Sequence, residues 1–307
     1  MIKHVVNWLL LPGLLSYLLL PREAIAAEQL FVASRITPEG EYSAGIEGPA
    51  VDPSGNLFVV NFNTRGTIGI VEKGATRSRL HLTLPAGSIG NGIRFDRNGL
   101  MYVADYKRLN ILRIDNATKR VSVYFHSRQF HQPNDLAISR DGVLYASDPK
   151  FSARSGQIWR IAMTDGEVKG AVMAAPRQMS TTNGLDLSPG ENTLYVSESA
   201  SREIWAYDLD GGKLSVPRLV KKFDAGELDG LRTDKTGRIF VARPGQGVIT
   251  ILQPDGSVLR EVRLGGKNPT NLTFGGDDGK TIFVTQGDGR YIESFRTDEP
   301  GREFANP

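Results

Sequence analysis

One phrase recurs six times along this chain of 307 residues, and self-similarity at a period of tens of residues means a solenoid, a propeller or an array. Each copy is a short apolar strand, a turn rich in Gly, Asn or Asp, and a strand of β-branched and aromatic residues. The copies begin at Gly48, Gly92, Asp135, Gly184, Gly230 and Asn271, with starts 44, 43, 49, 46 and 41 residues apart. A third strand follows, beginning at Ile111, Ile158, Ile204 and Ile249 in the clearest copies. Second turns come next, such as Asp165-Gly166, Asp210-Gly211 and Asp255-Gly256, and then a looser fourth strand, for example from Val121. Four antiparallel strands joined by hairpins at this period describe a propeller blade. No helical pattern of the length a βαβ unit needs interrupts them. The expected fold is an all-β, six-bladed β-propeller with four antiparallel strands per blade. The last copy ends near Phe295, so an N-terminal strand around residues 30–36 should complete the sixth blade and close the ring.

Composition narrows the chemistry. The 34 Gly, about 11% of the chain, exceed the usual ~7% and fit many tight turns. The absence of Cys excludes disulfides, thiolate metal sites and Cys nucleophiles. A net charge of +3 without a Lys/Arg run argues against a nucleic-acid partner. His4, His81, His126 and His131 are all the histidines, too few for a His-rich zinc site.

Lys3 and His4 precede an apolar stretch over residues 5–20, and Ala24-Ile25-Ala26-Ala27 follows. A basic start, a short apolar core and a small-x-small site read as a secretory signal. The stretch is shorter than the ~20 residues that span a bilayer. Residues 1–26 are expected to be a signal cleaved near Ala26. Residues 27–307 are then one propeller domain, periplasmic or secreted, monomeric and free of the membrane.

The residue just before each first strand carries the functional signal: Glu47, Asn91, Asn134, Asn183, Asp229 and Thr270. The innermost strand of every blade lines the central channel, so these positions should converge on one axis. Asn and Asp before Gly are also ordinary turn residues. Five carboxylates or amides in register, with acids on two blades, point instead to a ring of oxygen ligands. Without His or Cys such a ring suits a hard cation, Ca²⁺ first, with Mg²⁺, Mn²⁺ or Zn²⁺ as alternatives. Asn91, Asn134, His131 and Asp148 are the candidates for contact with substrate, and the two amides could equally touch the metal. His131 is either a proton carrier at the mouth or a hydrogen-bonded loop residue, and Asp148 either faces the pocket or starts a turn.

At these residues the chain resembles the gluconolactonase/regucalcin (senescence marker protein) family of six-bladed propellers. The matching phrases are Glu47-Gly48-Pro49, Pro133-Asn134-Asp135-Leu136, Asn183-Gly184-Leu185, Leu228-Asp229-Gly230 and Thr270-Asn271 with Phe274-Gly275-Gly276. The resemblance implies a divalent metal on Glu47, Asn183 and Asp229, substrate or metal contact by Asn134, and acid/base work by Asp229. It implies opening of a sugar lactone, or of another lactone or ester. The chain departs from the pattern at Gln132, where regucalcin-like members place an Arg, and at Thr270, where distant phosphotriesterase-type relatives place a His. Two functions of different class follow: a metal-dependent lactonase acting on a small molecule, or a non-catalytic propeller that binds a ligand or protein.

Overall fold

The turn between the first two strands of every blade closes on a residue in the left-handed backbone region. That residue is Gly55, Gly99, Gly142, Glu191, Gly237 or Gly279, with φ between 57° and 86°. Glycine meets the requirement without steric cost, and in the fourth blade Glu191 adopts it. The residue that opens the turn ties it down. Asp52 Oδ1 accepts from Ser54 N and Asn56 N, Asp96 Oδ1 from Asn98 N and Leu100 N, and Asp234 Oδ1 from Thr236 N and Arg238 N. These are the local Asp turns that recur through the sequence.

A computed structural model describes residues 1–2, 29–210 and 212–304. Apart from its first two residues, the expected export signal lies outside the described residues. Six antiparallel sheets form the ring. The first blade comprises Tyr42–Val51, Leu57–Phe62, Thr67–Val71 and Arg79–Thr83. The second is Gly90–Phe95, Met101–Asp105, Asn110–Asp115 and Arg120–His126. The third follows as Leu136–Ile138, Leu144–Lys150, Ser155–Thr164 and Glu167–Val172. In the fourth, Thr182–Leu187, Thr193–Glu198 and Glu203–Asp210 are regular, and the outer edge is split into Lys213–Leu214 and Arg218–Lys222. The fifth is Leu231–Thr233, Ile239–Arg243, Val248–Leu252 and Val258–Arg263. Helix among the described residues is limited to two single turns, Phe151–Ala153 and Arg302–Phe304.

The sixth blade is closed as expected. Pro269–Gly275, Thr281–Gln286 and Tyr291–Arg296 are joined by Ser34–Arg35, which pairs antiparallel with Tyr291–Arg296. The closing strand is shorter than residues 30–36, because Phe31 turns left-handed at φ 62° and breaks the ladder. Its anchor is reinforced by Ile36 N donating to Ile292 O at 2.9 Å and Ile292 N donating to Thr37 Oγ1 at 3.0 Å.

The core lies between blades. Along Leu57–Phe62, Phe58 and Val60 pack against Ile93, Met101 and Val103 of the second blade. Leu57 and Val59 turn the other way, toward Ile292 of the sixth. With both faces covered, the strand reads as a continuous apolar run, and each fully buried side chain contributes about 1.5–3 kcal/mol. At the end of the channel where the first strands finish, buried Arg302 donates to Asp186 Oδ1 (2.7 Å), Ile138 O (2.9 Å) and Glu191 Oε1 (3.2 Å).

Candidate active site at the channel mouth

All six positions line one cavity of about 480 Å³; Asn134 and Asp229 precede their first strands, whereas Glu47, Asn91, Asn183 and Thr270 lie within theirs. The repeat brings them there, and the glycines beside them allow it. A Cβ on Gly92 would sit 2.8 Å from Asp135 Cα, and one on Gly230 2.8 Å from Asn271 Cα. Neighbouring inner strands approach too closely for any side chain at Gly48, Gly92, Gly184 or Gly230. The other two copies carry Asp135 and Asn271 at that position, and those side chains fill the axis beneath the cavity.

Glu47 and Asp229 form the acidic floor. Glu47 Oε2 accepts from Gly48 N at 2.8 Å and from Asn271 Nδ2 at 2.9 Å. Desolvation pushes the Glu47 carboxyl up to about 7, against those hydrogen bonds, and the charge of Asp135 adds to it. Asp229 is pushed well above the usual carboxylate range, first by desolvation and then by the charges of Glu47 and Asp135. Two acids that burial and mutual repulsion drive toward the neutral form are a site short of positive charge.

The amides complete the set. Asn183 donates from Nδ2 to Ser199 Oγ at 3.0 Å, while its buried Oδ1 lacks a hydrogen-bond partner. Buried polar atoms are ordinarily satisfied, so an orphaned oxygen beside two carboxylates is an acceptor awaiting a donor or a cation. The side chains of Asn91 and Asn134 line the cavity with no protein hydrogen-bond partner among the described residues. Thr270 is different. Its hydroxyl lies 2.8 Å from Ile46 O and 2.7 Å from Thr285 Oγ1, so it joins the sixth blade to the first.

Beneath the floor is a layer that the sequence reading did not single out. Asp135 is fully buried and is held by Arg232 Nη1 (2.8 Å) and Nη2 (3.1 Å), with Arg94 Nη2 at 3.4 Å. Desolvation raises the Asp135 carboxyl to about 6 in spite of the Arg94 charge. Arg232 Nη2 also donates to Asn271 Oδ1 at 3.2 Å, which turns the Asn271 amide toward Glu47. The available signal was the exchange of Gly for Asp135 and Asn271 in two of six copies.

His131 and Asp148 do not line the cavity among the described residues. For Asp148, which is closed to solvent, this corrects the expectation that it contacts substrate. Asp148 is sealed from solvent and accepts from His131 N, Gln132 N, Gln157 Nε2 (2.7 Å) and Trp159 Nε1 (3.0 Å). A carboxylate surrounded by four donors has no lone pair left to offer. His131 Nδ1 lies 3.8 Å from Asp148 Oδ2. Asp105 and Glu198 hold the approach loops of their own blades in the same way, through Ile89 N and Ser180 N. The wall also includes Arg65, Tyr106, Gln132, Phe151, Arg154 and Glu227.

The donor set of Glu47, Asn183 and Asp229 fits a hard divalent cation. Two carboxylates balance its charge and an unsatisfied amide oxygen stands beside them. Among the described residues no group of three or more His, Cys, Asp or Glu gathers to hold a metal, so amide oxygens are essential to such a site.

Comparison with known proteins agrees with the architecture. Residues 47–288 match the model of the family described as SMP-30/Gluconolactonase/LRE-like region. A gluconolactonase of Zymomonas mobilis is 31% identical over 233 residues, which span 66% of this chain and 63% of that protein. A 6-deoxy-6-sulfogluconolactonase of Pseudomonas putida is 29% identical over 228 residues, 72% of this chain and 68% of that protein. The crystallised gluconolactonase of Xanthomonas campestris superposes with a TM-score of 0.74 at 23% identity, covering 87% of this chain and 89% of that one.

Proposed function

This chain belongs to the SMP-30/gluconolactonase/LRE-like family, and from that premise we propose that it is a divalent-metal-dependent hydrolase that opens a sugar or related lactone. The observation that carries the reading is the floor of the cavity: Glu47 and Asp229 from separate blades, both driven toward neutrality, beside the orphaned oxygen of Asn183. The relatives named as gluconolactonase and sulfogluconolactonase supply the reaction class.

Glu47, Asn183 and Asp229 would hold the cation, with Ca²⁺ preferred for its tolerance of mixed carboxylate and amide oxygens. When bound, such a cation polarises a carbonyl oxygen and neutralises charge that develops on it. The protein does the rest. Asn91 and Asn134 present free amides that orient the substrate's hydroxyl and ring oxygens. Asp229, a carboxylate that lines the cavity from the fifth blade, accepts the proton of the attacking water. Asn271 and Arg232 hold Glu47 in place from below. Tyr106 and Phe151 wall the cavity and limit the water that reaches the ring. The same proposal keeps residues 1–26 as a cleaved export signal and residues 27–307 as one domain acting outside the cytoplasm.

The experiment is a screen of sugar and aliphatic lactones in weak buffer, following acid release, before and after chelation and with Ca²⁺ restored. Lactone opening that disappears on chelation and returns with metal supports the reading. No opening of any lactone or ester under any divalent metal would leave a non-catalytic binding propeller as the better account.

A further inference from the structure

Among the described residues two cations line the cavity, and neither is needed by the fold. Arg65 sits in the loop between Leu57–Phe62 and Thr67–Val71 of the first blade, and Arg154 follows the turn Phe151–Ala153 in the third. Neither side chain makes an ion pair or hydrogen bond among the described residues. Arg154 is also held in the left-handed region at φ 49°. Gln132, on the same wall, is neutral.

The negative charge lies elsewhere. Glu47 and Asp229 form the floor, and Glu227, exposed, lines the cavity from the fifth-blade side. The mouth is therefore polarised across its width, with guanidinium groups on the first and third blades and carboxylates below and opposite. A neutral ligand gains little from that field. An anionic group is drawn to Arg65 and Arg154 and repelled by Glu227, so its attachment point fixes which way the ring faces. Guanidinium offers a planar fork of N–H donors that matches carboxylate, sulfonate or phosphate oxygens.

We propose that the substrate carries an anionic group outside its lactone ring, and that Arg65 and Arg154 grip this group while the ring lies over Glu47, Asn183 and Asp229. The proposal rests on the lactonase reading for the reaction, and on the rim alone for the charge.

The test uses the metal-loaded protein and matched lactones with the same ring: a neutral sugar lactone, its phosphate ester, and the analogue with a carboxylate at the same carbon. The expected result at low salt is a kcat/KM about 10-fold or more in favour of one or both anionic lactones. That preference shrinks as salt screens the exposed groups. In Arg65→Gln and Arg154→Gln the ratio of anionic to neutral kcat/KM falls about 3–10-fold each, through KM, and the double variant removes the preference. Arg65→Lys keeps the charge and restores part of the ratio. Whichever anion shows the larger ratio identifies the group recognised. A wild-type ratio near one, or variants that lower both lactones equally, overturns the proposal while leaving the lactonase intact.

If no lactone is opened, the lactonase reading fails on its own. Calorimetry with glucose 6-phosphate against glucose then decides the rim. Tighter binding of the phosphate that the double variant abolishes supports the anion site, and equal binding refutes it.

Discussion

Asn271 Nδ2 donates to Glu47 Oε2 at 2.9 Å across a sequence separation of 224 residues, so the sixth blade holds a floor carboxylate of the first. The opposite end of the same amide accepts from Arg232, and its backbone N donates to Thr285 Oγ1 at 3.0 Å. Asn271→Ala should leave several buried partners unpaired and cost about 1–3 kcal/mol of stability. Calcium affinity should fall with it, because Glu47 loses the donor that orients it. Denaturant midpoints and calcium titration check both, and an unchanged calcium affinity would disconnect Asn271 from the site.

The metal-free protein should lose stability as pH rises. The Glu47 carboxyl is raised to about 7 in the folded chain, above the ~4.3 of an unperturbed Glu. Asp229 is raised as well. Between those limits the folded state binds more protons than the unfolded one, so stability is greatest below the unfolded value and declines up to and through the folded one. Melting temperatures of metal-free protein at pH 5, 6, 7 and 8 should fall by several degrees across the series. Saturating Ca²⁺ should flatten or reverse the trend, since a bound cation favours the ionised pair. A metal-free protein whose melting temperature climbs over the same range contradicts this account.

Asp229→Asn separates the two duties assigned to that residue. One ligand oxygen remains, so metal affinity should fall moderately. The basic carboxylate is gone, so at saturating metal the rate should drop ~10²–10⁴-fold, the usual worth of a positioned acid–base group. Near wild-type turnover with metal restored would make Asp229 a ligand only.

Asp148→Asn distinguishes loop support from substrate contact. The change places an NH₂ group among donors from His131, Gln132, Gln157 and Trp159. Stability should fall by about 2–4 kcal/mol, because buried charge-assisted hydrogen bonds are lost and donors are left facing one another. Calcium affinity should hold while kcat/KM declines, because the loop that carries Asn134 is loosened. An effect on KM without any loss of stability would return Asp148 to the substrate-contacting role.

The repeats made the ring legible because blade geometry converts register into position. Glu47, Asn91, Asn134, Asn183, Asp229 and Thr270 share a place in the phrase, and one cavity receives all six. Asp148 was harder to place, since the sequence does not show that Gln157 and Trp159 of the next strand and the loop at His131 and Gln132 all turn donors onto it. The layer of Asp135, Arg94 and Arg232 lay further out of reach. Its members are 41 and 97 residues apart and meet only because three inner strands converge on the axis. Thr270 illustrates the same limit: its place in the register is readable, but its use in binding the sixth blade to Ile46 is not.

The pairing of Ser34–Arg35 with Tyr291–Arg296 also sets a timetable for biosynthesis. The first of these strands leaves the ribosome about 260 residues before its partner, an interval of roughly 13–50 s at ~5–20 residues/s. Until that partner is made the ring stays open, with two unpaired edges ready to recruit other chains. A product cut short before residue 291 never closes. Chaperones and proteases thus have a simple mark of incompleteness to read, and the last few dozen residues decide whether the whole chain survives.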